Sequence, residues 1–134
     1  MTRSRGSPRL RPSRAVTSAT EAALRSAQEA TLETRGRRTG RPHRVVLWYA
    51  YEPPDVWLRG DPGTDWVRNL DSDERCLFIV GAHAIEATRE NVDDEGAALR
   101  HVVELWRSKY GAEWVADWYV ERGRVPVRLR LVTT

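Results

Sequence analysis

Six short runs of β-branched, aromatic or alternating residues follow one another along the chain, most of them separated by only a few turn residues. They are TLETR from Thr31, Arg44–Tyr51 (RVVLWYAY), VWLRG, CLFIVG, Ala84–Glu90 and the closing VPVRLRLV. A strand cannot satisfy its own backbone N–H and C=O groups, so each run requires neighbours. Connections this short join antiparallel neighbours, because parallel ones need a crossover of about a dozen residues or more. The last run sets Val125, Val127, Leu129 and Leu131 against Arg128 and Arg130, which is the period of a sheet with one face on a core. The order predicts an α+β fold built on a small barrel or curled sheet, mainly antiparallel.

Helices punctuate this sheet at predictable places. Thr20 precedes EAALRSAQEA and suits an N-cap. Asp65 is placed to cap a short inserted helix, WVRNLDSD, whose Trp66 and Leu70 share one face. Asp93-Asp94-Glu95 opens the longest helix, which lines Leu99, Val102, Val103, Trp106 and Tyr110 along one side and stops at Gly111. A second short helix carries Trp114, Val115, Trp118 and Tyr119 and ends at Gly123, so two helices precede the last strand. Residues 1–16 are rich in Arg, Ser and Pro without a hydrophobic period and read as a disordered basic tail. Residues 17–134 then form one domain.

Charge narrows the function classes. The 134 residues carry 22 Lys+Arg and 19 Asp+Glu, with a pI near 9.5, which at first suggests nucleic acid. Five arginines lie within residues 1–14 and five more within residues 35–44, neither stretch holding an acid. Without those ten, 12 basic residues face 19 acidic ones, so the positive charge is two patches on an acidic body. A nucleic-acid partner is accordingly the weakest of the readings. No apolar run approaches the ~20 residues that span a bilayer, and no apolar leader precedes the domain. The single Cys76 excludes an internal disulfide, which fits a cytoplasmic setting, and within CLFIVG it reads as a packed thiol.

Catalytic signatures are missing. His43, His83 and His101 lack partners at metal-ligand spacing, and His101 with Glu104 reads as a solvated helix pair. There is no G-x-S-x-G, no P-loop and no G-x-G-x-x-G after a strand. If the chain is an enzyme, its reactive atoms belong to something it binds. Two segments offer binding chemistry. In Arg35–Arg44, two glycines allow a sharp turn whose N–H groups can cup an anion, and arginine forks match phosphate or carboxylate. A solvated hairpin loop would have the same composition. In Gly60–Leu70, a glycine-rich turn runs into a helix where Trp66 can stack on a ring and Asn69 can bond a heterocycle, or where both simply serve the core.

Taken in order, the two segments carry a resemblance. Thr34-x-Gly36-Arg37-Arg38-Thr39-Gly40-Arg41-Pro42-His43-Arg44, the strand Leu47-Trp48-Tyr49, a strand ending at Gly60, Asp65-Trp66-Val67-Arg68-Asn69-Leu70, Val80-Gly81 and Ala87-x-Arg89 resemble the deazaflavin-dependent nitroreductase/quinone reductase family. The resemblance runs from about residue 31 to residue 91 and more loosely to the end. It implies a split β-barrel related to flavin reductases, here a cofactor-binding domain of residues 17–134. It implies coenzyme F420, with its acidic tail held by Arg37, Arg38, Thr39 and Arg44. It places Trp66 and Asn69 along the head-group pocket and Val46 and Leu47 near the ring, with Gly60 counted among the cofactor-binding positions. The implied activity is hydride transfer from the reduced deazaflavin to a small acceptor: a quinone, activated alkene or nitro compound. A non-catalytic F420, FMN or haem carrier of the same fold stays open, FMN being the alternative cofactor. Tyr110, Trp114, Trp118 and Tyr119 are available to position a substrate, but none has an assigned role. Six tryptophans suit a homodimer interface.

Overall fold

The computed structural model describes residues 12–13, 16–115 and 123–132, and within them each apolar alternation becomes a strand. The elements in chain order are β1 (Pro12–Ser13), α1 (Ser18–Ser26), β2 (Glu29–Arg35), β3 (Pro42–Trp48), β4 (Ala50–Glu52), β5 (Asp55–Gly60), α2 (Asp65–Ser72), β6 (Arg75–Val80), β7 (His83–Glu90), α3 (Glu95–Tyr110) and β8 (Val125–Leu131). Seven strands form one antiparallel sheet in the order β3-β2-β6-β7-β8-β5-β4, and β1 lies parallel to β7. Pro12 and Ser13, inside the segment read as a tail, thus sit beside Ala84 and Ile85. The other residues of that segment up to Ala15 lie outside the described ones.

The two ends of the sheet are one stretch of chain. Trp48 ends β3 opposite Glu29 of β2, and Ala50 begins β4 opposite Trp57 of β5, with only Tyr49 between them. The sheet therefore curls round until its edges meet, giving the split-barrel-like α+β fold. Arg44–Tyr51, expected as one strand, is two strands with different partners. The break is held in place from several sides. Tyr49 is fully buried, its hydroxyl donates to Leu24 O at 2.6 Å, and Lys109 Nζ donates to its carbonyl at 2.9 Å. Its N–H donates to Tyr110 Oη at 3.2 Å.

Alternate residues fill the barrel. Leu32, Val56, Leu58, Phe78, Val80, Ile85, Val127 and Leu129 are fully excluded from water, each worth roughly 1.5–3 kcal/mol of burial. Leu24 of α1 and Trp66, Val67 and Leu70 of α2 join this core. α3 covers the outside of β4 and β5, packing Ala98, Val102, Val103 and Trp106 against Ala50 and Trp57.

Several expected caps and ends move. α1 is capped by Thr17, whose side chain accepts from the Thr20 N–H at 3.2 Å. Thr20 is buried instead, its hydroxyl hydrogen-bonded to His83 Nδ1 at 3.1 Å. α2 begins at Asp65 and its N-cap is Thr64. α3 starts and stops as expected, with Asp94 accepting from the Ala97 N–H and Gly111 following at φ 101°. Of the second short helix, the described residues show a 3-10 turn, Ala112–Trp114; Trp118 and Tyr119 lie outside the described residues. No helix among the described residues is long and apolar enough to cross a membrane.

Candidate functional site

The basic segment connects β2 to β3 as a tightly self-bonded loop. The Gly36 N–H donates to Arg41 O and the Gly40 N–H to Gly36 O, both at 2.8 Å. Gly40 has φ 74°, a left-handed conformation that glycine adopts without penalty. Thr39 Oγ1 accepts from the Arg41 N–H at 3.1 Å, closing the tip. Arg38, Thr39 and Arg41 are exposed there, and among the described residues Arg38 and Arg41 have no ion-pair partner.

The second sequence segment meets this loop. Asn69 of α2 is 2 % exposed, and its Oδ1 accepts from the Arg37 N–H at 3.1 Å and from Arg37 Nη1 at 2.8 Å. Arg37 Nη2 lies 3.2 Å from Asp65 Oδ1. Trp66 faces the other way, into the core at 5 % exposure. Gly60 lies directly beneath it: a β-carbon there would sit 2.4 Å from Trp66 Cζ2. On β3 the side chains alternate as a strand demands. Arg44 and Val46 are on the open face, Val46 58 % exposed and Arg44 Nε 2.9 Å from Glu33 Oε1. Leu47 packs against the core side.

Two adjoining hollows lie beside the loop. One, of about 420 Å³, runs over β2, β6 and β7, with Arg35, Gly40, Arg75, Leu77, Ala87 and Val132 in its wall. The other, of about 470 Å³, lies between the loop and the end of α2. Arg35, Gly40, Asp73 and Arg75 line both. Asp73 Oδ2 is 3.6 Å from Arg35 Nε and its Oδ1 3.2 Å from Arg75 Nε, and hydrogen bonds from Arg75 hold its carboxyl below the usual range. Arg75 and Asp73 were not singled out from the sequence, because nothing in their spacing connects them to a loop some thirty-five residues away.

Cys76 is buried, its thiol donates to Ala87 O at 3.6 Å, and burial pushes its pKa up to about 12. Among the described residues no cluster of His, Cys, Asp or Glu is arranged to hold a metal ion. His101 does not pair with Glu104 as its helix spacing suggested; its Nε2 lies 2.8 Å from Glu52 Oε1, and its ring packs edge-on to Trp57. The groove over β2, β6 and β7 is of mixed charge: Arg35 and Arg75 share Asp73, Glu33 and Glu86 also line it, and Leu77 and Val132 give it an apolar part.

A family model described as F420H(2)-dependent quinone reductase matches residues 10–130. The chain belongs to that family. It is therefore an F420-dependent reductase, an oxidoreductase whose family acts on small-molecule acceptors. No curated protein sequence matches this family member. Solved structures are similar to it. A conserved hypothetical protein from Mycobacterium tuberculosis is 26 % identical, with a TM-score of 0.60 over 93 % of this chain and 89 % of that one. A candidate 5-nitroimidazole antibiotic resistance protein from Bacteroides thetaiotaomicron has a TM-score of 0.68 at 13 % identity, over 83 % and 76 % of the two chains. A structure described as an F420 reductase has a TM-score of 0.63 at 14 % identity, over 83 % and 91 %. At such identities the last two show the shared fold of this quinone reductase family member and no more.

Proposed function

We propose that this F420-dependent reductase transfers a hydride to a small organic acceptor: a quinone, an activated alkene or a nitro compound. The observation that supports this reading is the meeting of the glycine-turned basic loop with the groove over β2, β6 and β7, both of which Arg35 and Gly40 line. The residues present fit the coenzyme. Its acidic tail needs unspent cationic donors, which Arg38 and Arg41 offer at the loop tip, with Thr39 beside them and Arg44 on the adjoining strand face. Arg35 and Arg75 enter the groove wall paired with Asp73, beside Glu33 and Glu86, so the cationic donors for the tail are those of the loop. Val46 on the open face of β3, outside both hollows, and Leu77 along the groove are apolar surface that suits a flat ring. Trp66 and Gly60 act beneath this surface by shaping it.

When bound, the reduced deazaflavin supplies the hydride. The protein supplies orientation, exclusion of water and anchoring of the tail, which accounts for the missing acid/base dyad. Replacing Arg38 and Arg44 together by Ala should weaken binding of oxidised F420 at least tenfold, read by quenching of tryptophan fluorescence. An unchanged affinity overturns the assignment of the loop. Incubation of reduced F420 with a panel of quinones, activated alkenes and nitroaromatics then names the acceptor; tight binding with no oxidation would make the chain a carrier.

A further inference from the structure

We propose that Asn69 is a positioning residue for the basic loop: its buried amide holds Arg37 and, through Arg37, sets where Arg38 and Thr39 are presented. The inference rests on the coenzyme reading above, and it replaces the head-group contact that the family resemblance implies for Asn69. The amide is already committed within the protein. Its Oδ1 accepts two hydrogen bonds from Arg37, one from the backbone at 3.1 Å and one from Nη1 at 2.8 Å, and a carbonyl oxygen has two lone pairs. Its Nδ2 donates to Thr34 Oγ1 at 3.1 Å, and the residue is 2 % exposed. Little of it is left for a ligand.

Arg37 is committed in the same way. Its guanidinium bridges Asn69 Oδ1 and Asp65 Oδ1, the latter at 3.2 Å, and its side chain is 20 % exposed. The loop is thereby tied at Thr34 and Arg37 to one face of α2. Arg38 and Thr39 follow immediately in sequence and are exposed. Holding the loop before a ligand arrives removes an ordering cost from binding, which is how a residue that touches no ligand raises affinity. Arg37 and Asn69 are then two halves of one device. The chemistry recognised stays an anionic chain, and the recognition falls to Arg38, Thr39, Arg41 and Arg44.

The device has two independent readouts. In the ligand-free protein, amide hydrogen exchange of Arg37 and Gly40 should speed up roughly tenfold in Asn69→Ala while the amides of β7 keep their protection. Asn69→Asp should restore it, because a carboxylate accepts from Arg37 and from the Thr34 hydroxyl alike. Unchanged loop exchange in Asn69→Ala, or no recovery in Asn69→Asp, overturns the proposal. The second readout is the affinity for oxidised F420. Asn69→Ala and Arg37→Ala should each weaken it by a similar factor, about tenfold, and the double variant should be no weaker than the weaker single one. Losses that multiply to about a hundredfold would show that Asn69 acts separately on the ligand. If Asn69→Ala does not fold, Arg37→Ala and Asn69→Asp carry the exchange test. Failure of the parent protein to bind F420 overturns the functional reading and leaves the exchange test of the loop standing.

Discussion

Gly60 shows how much a single atom can decide. A β-carbon there would lie 2.4 Å from Trp66 Cζ2 and 2.9 Å from Val67 Cγ2, and an indole buried in a core has no free direction in which to retreat. Gly60→Ala should cost roughly 1–3 kcal/mol, measured as a lower urea midpoint, with α2 displaced. Asp55 is a second such position. It is 5 % exposed and bridges Arg128 Nε at 2.7 Å and Arg130 Nε at 2.9 Å, locking the start of β5 to β8. Asp55→Asn removes the charge that both guanidinium groups face, and about 2 kcal/mol of stability should go with it. Cys76 makes its prediction through pH. Burial, with a smaller contribution from Asp73, raises its pKa from 9.0 to about 12. The folded protein holds that proton more tightly than the unfolded chain, so the associated stability is complete below pH 9 and lost as pH climbs towards 12. Cys76→Ala should show a shallower alkaline fall, and in the native parent protein iodoacetamide should leave the thiol unlabelled at pH 8 until urea is added.

Among the elements, the break at Tyr49 is held largely by α3. Tyr110 Oη accepts from the Tyr49 N–H at 3.2 Å and donates to a carbonyl of the same neighbourhood, Tyr49 O or Gln28 O, while its ring stacks on Trp48 with centroids 4.0 Å apart. Tyr110→Phe keeps the stack and loses the bonds, so it should cost about 1–2 kcal/mol in denaturant titrations. Sequence reasoning reached α3 well, because Leu99, Val102, Val103 and Trp106 recur at helical spacing between an acidic cap and Gly111. It could not see the break, since a continuous apolar run such as RVVLWYAY says that a strand is there and not which partner it pairs with. The cap of α1 was misplaced for a similar reason. Thr17 and Thr20 are equally good caps in one dimension, and only the bond to His83 explains why Thr20 turns inward. The loop was legible as a glycine-turned basic connection from its glycines and arginines. Its tie to Asn69 was not, because a hydrogen bond between residues 32 apart leaves no periodic trace.

At the scale of the whole molecule, the charge is segregated in a way that affects binding more than stability. Arg35, Arg37, Arg38, Arg41 and Arg44 crowd one connection of a domain that is acidic elsewhere. Attraction of an anionic coenzyme by exposed arginines is screened by salt. Affinity for F420 should therefore fall as sodium chloride rises from low to high concentration, and the variant lacking the Arg38 and Arg44 side chains should respond less steeply. A slope equal to that of the parent would mean that other charges attract the ligand.

β8 sits between β7 and β5, although it follows both of them in the chain. Asp55 must wait for Arg130, and Gly60 for Val125, before that seam can close. On the ribosome, β5 and β7 are consequently synthesised long before their common neighbour, and both present unpaired edges to whatever is near. A frameshift or stop codon that removes residues after Gly123 would not merely shorten the protein. It would leave two adhesive edges in the cytosol of an expression host, and such products should be found in the pellet or with a chaperone.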